Sequence, residues 1–143
     1  MFKKLNKKGF TMAELLVVVA IIGVLVAISI PIFTAQLEKS REAVDLSNIR
    51  AAYAECSADV LTGDGKTGYY EKVDPKQTTA DWVSNPEKIA GSLDVKNNEV
   101  AKTIKSGTPV YVCVDAEGTF TLESSVPTAD TKTTTWTDAT TLN

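Results

Sequence analysis

No histidine occurs anywhere in the 143 residues. That removes the histidine-based triads of nucleophilic catalysis and the commonest nitrogen ligand of zinc. Neither an enzyme nor a resident metal or cofactor is expected. Cysteine is scarce as well, with Cys56 and Cys113 only, and no Asn-x-Ser/Thr glycosylation acceptor is present. Charge is missing from residues 15–37, where every side chain is uncharged. As a helix that run is about 34 Å long, enough to cross a bilayer core of about 30 Å. A phosphate loop is missing too. Gly65-Lys66-Thr67 has the ending of one, but the position five residues earlier, where that motif has glycine, is Val60.

What stands around the apolar run is unusual for a simple anchor. Lys3, Lys4, Lys7 and Lys8 precede it, then Gly9-Phe10-Thr11-Met12-Ala13-Glu14 lead in. Cationic flanks stay cytoplasmic, so the bulk of the chain is expected to face outward. Glu14 sits at the mouth of the span. A carboxylate at the bilayer centre costs roughly 2.5–3.5 kcal/mol, so it is normally placed there for a partner. Within its own helix it can bond the first free N–H groups near the positive end of the dipole. Across two staggered helices it can neutralise a neighbour's amino terminus. A secretory signal is the competing reading. It requires cleavage after the run, where residues 29–36 offer only weak small-residue sites such as Thr34-Ala35.

This order of residues resembles the type IV prepilin signature, which pilins share with the pseudopilins of secretion and DNA-uptake machines. The likeness is clear over residues 3–33 and looser to about residue 61. It implies that a prepilin peptidase cuts after Gly9 and methylates the new amino group of Phe10. It implies that Glu14, with Phe10, recruits the subunit into a filament. The expected partners are identical or related pilin subunits, the peptidase, the membrane and a pilus assembly platform. The expected location is the cytoplasmic membrane for the precursor, leader inside and head outside, and then a surface pilus. The resemblance also marks Gly23 to Pro31 as the stretch that melts in a filament. Proline alone predicts a kink there, because it removes an N–H and crowds the carbonyl four residues back.

Three segments follow: a basic leader over residues 1–9, a membrane and assembly helix over 10–37, and an extracytoplasmic head over 38–143. Without the leader's four lysines the chain has 11 basic against 18 acidic side chains, a net charge of −7. An acidic head disfavours nucleic acid and anionic lipid. Past Pro31 the helix becomes amphipathic. Leu46, Ile49, Tyr53, Cys56 and Val60 form an apolar stripe at 3-4 spacing. Glu38, Lys39, Arg41, Glu42, Asp45, Arg50 and Glu55 are read as its solvated side. Two glycines at 63 and 65 end the helix, so a continuous rod from residue 10 to 61 is about 78 Å long.

In the head one hairpin is legible. Residues 110–115 and 119–123 alternate in hydrophobicity around Ala116-Glu117-Gly118, a three-residue loop ending in glycine. Pairing Asp115 with Thr119 sets Val114 opposite Phe120 and Val112 opposite Leu122. That apolar face is expected on the helix stripe. The expected architecture is therefore α+β, a long N-terminal helix packed on a small antiparallel sheet. Residues 62–108 read as turn-rich connection, with Asn85-Pro86 starting a short helix and 97–104 ambiguous. Trp82 and Trp136 are read as closing the core, with surface contact as the alternative. The threonine-rich tail adds a strand or stays a surface segment. Cys56 and Cys113 are the candidate disulfide pair of an exported domain. Their directions conflict, since the stripe turns Cys56 towards the sheet and the hairpin register turns Cys113 away. Many pilins close a C-terminal loop with a disulfide, and no such pair exists here.

The expected function is a structural subunit of a type IV pilus, serving adhesion, motility or DNA uptake. A pseudopilin of a type II-like secretion or competence apparatus is the first alternative. A monomeric membrane-anchored binding domain is the second.

Overall fold

The computed structural model of the chain describes residues 9–90, 93–129 and 135–141. The leader lysines and part of the threonine-rich tail lie outside the described residues. One α-helix, α1 (Met12–Thr62), accounts for most of the N-terminal half. The chain divides into two compact units, one ending at Gln36 and one beginning at Leu37. In the first unit α1 runs through Gly23 and Pro31 without interruption. Ser29 Oγ donates to the carbonyl of Leu25 at 2.7 Å, and Thr34 Oγ1 to that of Pro31 at 3.0 Å.

The second unit is the head. Its strands are β1 (Thr67–Val73), β2 (Val110–Val114), β3 (Phe120–Glu123) and β4 (Thr135–Asp138), in the order β3-β2-β1-β4. The β2–β3 hairpin has the register expected from its pattern, Val114 with Phe120 and Val112 with Leu122. Asp115 closes it by donating its N–H to Thr119 at 3.0 Å. Gly118 takes φ 85°, a left-handed conformation that glycine adopts without a Cβ clash. The sheet differs from expectation in two ways. β1 lies inside the supposed connection and is central, antiparallel to β2. β4, from the tail, pairs with β1 in parallel, Thr67 with Thr135 through Tyr70 with Asp138. The sheet is mixed, not antiparallel. A parallel pair needs a long crossover, and everything between residues 74 and 134 supplies it.

From Leu37 onward α1 packs on this sheet. Ile49 and Ala52 meet Val110, Val112, Phe120 and Leu122 in the main core. Cys56 meets Val114 and Ala139 in a smaller cluster beside it. Tyr53 packs its ring against Phe120 with centroids 4.8 Å apart. Trp82 closes the core, buried, with its indole N–H donated to the carbonyl of Ala101 at 2.9 Å. Trp136 is half-buried and donates to Thr128 at 3.0 Å. The ambiguous stretch holds a short helix, α2 (Glu99–Thr103), capped by Asn98, whose side chain accepts from Ala101 N–H at 2.8 Å. Asn85-Pro86 starts no helix. Asn85 has φ 48° and ends a turn, its N–H bonded to Trp82 at 3.0 Å.

The charged side chains of α1 bring the largest departure. Glu38, Glu42 and Asp45 are buried, not solvated. They fall in phase with Ile49, Ala52 and Cys56, so one 4-3 stripe changes from acidic to apolar along its length. Backbone N–H groups of the loop after β1 satisfy the acids. Asp45 accepts from Lys76 and Gln77, and Glu42 accepts from Val83 and Ser84. Glu38 accepts from both the N–H and the hydroxyl of Thr78 and of Thr79. Burial alone raises its pKa, but these bonds outweigh it and hold the carboxyl at about 2.

Candidate functional site

The residues singled out at the N-terminal end come together around a helix start. Thr11 precedes α1 and Glu14 lies in its first turn. Thr11 donates its N–H and its hydroxyl to Glu14 Oε2, each at 2.8 Å. In return Thr11 Oγ1 accepts the N–H of Glu14 at 3.2 Å. This reciprocal pairing is a capping box, with two otherwise unsatisfied donors closed by two side chains. The sequence Thr-x-x-Glu carries that signal, so the geometry was readable in advance. It realises the intrahelical option for Glu14. Gly9 and Phe10 stand exposed immediately before the cap, and Phe10 keeps 91% of its surface.

Beyond the cap the side chains have no cover. Leu16, Val19, Ile22, Leu25, Ile28 and Phe33 each keep more than half of their surface exposed. The helix is long and apolar enough to cross a membrane, and none of its most apolar window is buried within the chain. A continuous apolar surface on all sides of a helix belongs in lipid or among other helices. The unit before Leu37 therefore offers a capped end with one carboxylate, and behind it a surface with no partner among the described residues.

Cys56 and Cys113 are both free and buried. The direction conflict explains why no bond joins them. Cys56 lies between α1 and the sheet, its thiol 3.9 Å from the carbonyl of Val112. Cys113 pairs with Tyr70 and Thr121, on the opposite face of β2 from Val112 and Val114. Burial, reinforced by neighbouring carboxylates such as Glu71 and Glu123, pushes each thiol up to about 12. Both behave as small buried hydrophobes.

Sequence reasoning missed the carboxylate clasp. Its acceptors are side chains, but its donors are backbone N–H groups 31 to 42 residues away, and such donors leave no mark on composition. The one usable signal was phase. Glu38, Glu42 and Asp45 continue the spacing of the buried stripe.

Comparison with known proteins agrees with the geometry at the N-terminal end. Residues 4–30 match the prokaryotic N-terminal methylation motif. The chain is 46% identical over 48 residues to the type IV major pilin protein PilA of Myxococcus xanthus. That stretch covers 34% of this chain and 22% of the relative, so the match spans about a fifth of that pilin. No solved structure matches the chain.

Proposed function

We propose that this chain, type IV pilin-like in its motif and in its helix-on-sheet fold, is a structural subunit of a type IV pilus. On this reading it is inserted in the cytoplasmic membrane with the lysines inside, and prepilin peptidase cuts after Gly9. The observation that carries the reading is the Thr11–Glu14 cap at the head of an uncovered apolar helix. Cleavage creates an ammonium on Phe10, one residue from the N–H that Glu14 holds. Two charges then sit at the edge of an apolar layer, where each is costly alone. Exchanging the Thr11 bonds for a neighbouring subunit's Phe10 ammonium compensates both, and packing of residues 15–30 among neighbours supplies the cohesion. The leaving of lipid is thereby coupled to the joining of a filament. Gly23 and Pro31 are the weakest points of the helix in intrinsic propensity, which suits a local melting on assembly.

Intact mass and the N-terminal residue of the protein in filaments sheared from cells test the reading. A methylated Phe10 in that fraction is expected. The same mature chain confined to membranes would replace the pilus with a short pseudopilin fibre. An intact Met1 end would remove the maturation step and the reading with it.

A further inference from the structure

The face of the sheet turned away from α1 has a gap in it. Val112 and Val114 point into the core, so Tyr111, Cys113 and Asp115 point outward. Thr121 and Glu123 share that outer face, opposite Cys113 and Tyr111. Trp136 shares it too, because it pairs with Gly68, two residues before the outward Tyr70. Gly68 has no side chain, so at its position nothing from β1 rises between the indole and Asp115. The result is a cavity of about 300 Å³ between Asp115, Thr121, Glu123 and Trp136, with residues 125–128 completing its wall. That size lies at the lower end of ligand pockets. The bond from Trp136 Nε1 to the carbonyl of Thr128, at 3.0 Å, fixes the indole against this wall.

Charge in the cavity has one sign. No basic side chain lines it among the described residues. Asp115 is held in place by its own turn, Oδ1 accepting the N–H of Glu117 at 2.9 Å and of Thr119 at 2.7 Å. Glu123 is exposed and makes no hydrogen bond or ion pair with a described residue. After burial, its charge is the next cause that raises the Cys113 thiol on the neighbouring strand. An anion is repelled by such a lining. A bare metal ion finds no group of three or more histidine, cysteine, aspartate or glutamate ligands among the described residues. A guanidinium suits both parts of the site. It is planar, stacks on an aromatic ring, and presents its N–H donors in a fork that matches a carboxylate. An ammonium supplies the charge but is a compact, strongly hydrated point without that fork.

We infer that this cavity on the outer face of the sheet binds the guanidinium of an arginine side chain from a partner polypeptide, stacked on Trp136 and paired with Glu123 and Asp115. The site uses nothing from the apolar helix, so it stands or falls apart from the pilus reading.

The test titrates the full chain in neutral detergent with N-acetyl-arginine amide and follows the indole N–H resonances of its two tryptophans. The Trp136 signal is expected to shift saturably, while that of buried Trp82 stays in place. N-acetyl-citrulline amide, the uncharged isostere, should bind at least about tenfold more weakly, and the lysine analogue less tightly than arginine. Glu123→Gln should weaken arginine binding about tenfold. This residue is exposed, and an unchanged melting temperature would separate loss of binding from loss of fold. Trp136→Leu removes the ring face and should cost about threefold, read by the heat of binding. Glu99→Gln alters an exposed acid elsewhere on the head and should change nothing, which distinguishes a site from general attraction to an acidic surface. Equal binding of the arginine and citrulline probes would overturn the site. So would a lysine analogue that binds as tightly, an unaltered Kd in Glu123→Gln, or the lack of any saturable shift.

Discussion

The carboxylate of Asp45 accepts the backbone N–H of Gln77 at 2.8 Å, and neither residue has any exposed surface. The pair anchors the loop after β1 to α1 from the inside. Gln77 passes the connection on, its side-chain N–H₂ donating to the carbonyl of Ile104 at 2.6 Å and its own carbonyl accepting from Ser106 at 2.6 Å. Helix, loop and the approach to β2 are therefore tied through one acid and one amide. With Glu42 and Glu38 the same device recurs along the helix, each time a carboxylate holding two backbone donors. Ionised acceptors make the stronger kind of hydrogen bond. The loop has few apolar side chains to bury, and these bonds fix its path instead.

Removing one clasp should therefore cost more than a surface substitution does. Asp45→Ala and Glu42→Ala each strand two backbone N–H groups in or near the core. A loss of about 1–3 kcal/mol is expected for each, read by chemical denaturation of the full chain in detergent. Lys39→Ala, exposed on the same helix, serves as the control and should move stability by no more than about 0.5 kcal/mol. Equal effects from all three would mean that the clasp does not hold the loop.

Glu38 gives this device a pH dependence. Its carboxyl is held at about 2 in the folded chain, against an ordinary value of 4.5. A depressed folded value contributes stability that is fully present above about 4.5 and is lost as pH falls towards 2. The melting temperature of the full chain should fall across that window. Glu38→Gln should start lower at neutral pH and decline less steeply. An identical slope in the two proteins would assign the acid sensitivity to other carboxylates.

The free cysteines make a simpler forecast. Both are fully buried, with thiols pushed up to about 12. At neutral pH neither should react with a maleimide on a timescale of minutes, and both should react once the chain is unfolded. A single rapid equivalent in the native chain would place one thiol at the surface.

How much of this was legible follows the range of each interaction. The capping box, the β2–β3 register and the end of α1 beside Gly63 are local, and side-chain type and spacing reveal them. β1 was hidden because its neighbours are distant. Tyr69, Glu71 and Val73 alternate with Gly68, Tyr70 and Lys72, and one charge on each face breaks the apolar-polar pattern that marks a strand. Its partner β4 lies 68 residues further on, with Thr67 paired to Thr135. The acids of α1 misled for the opposite reason. A buried carboxylate is rare unless partnered, and its partners here are backbone groups common to every residue.

At the membrane end, the capped carboxylate leads to paired expectations for maturation and assembly. Glu14→Ala should be cleaved and inserted, yet yield few filaments, because Phe10 ammonium then has no neighbour to neutralise it. Gly9→Leu should stay uncleaved, since bulk replaces the residue before the cut. Both are read by the mass of the chain and by counts of sheared filaments. Abundant normal filaments from Glu14→Ala would end the proposed role of that carboxylate, and normal maturation of Gly9→Leu would move the cleavage site.

Glu71 runs against the trend of the other acids and yields the opposite pH sign. Burial first, then the charges of Glu55 and Asp138, raise its pKa above the ordinary 4.5. The folded chain therefore holds this proton more tightly than the unfolded chain does. The linked stability is fully present below about 4.5 and is lost as pH rises through the raised value. Glu71 shares a side-chain hydrogen bond with Glu55, and its Oε2 has no further partner among the described residues. Glu71→Gln keeps the shape, removes the charge and offers Glu55 an N–H donor. Dilute, detergent-separated chains should melt higher with this substitution at pH 7 and show no difference near pH 4. A lower melting temperature at pH 7 would mean that the Glu71 carboxyl is already compensated within the chain.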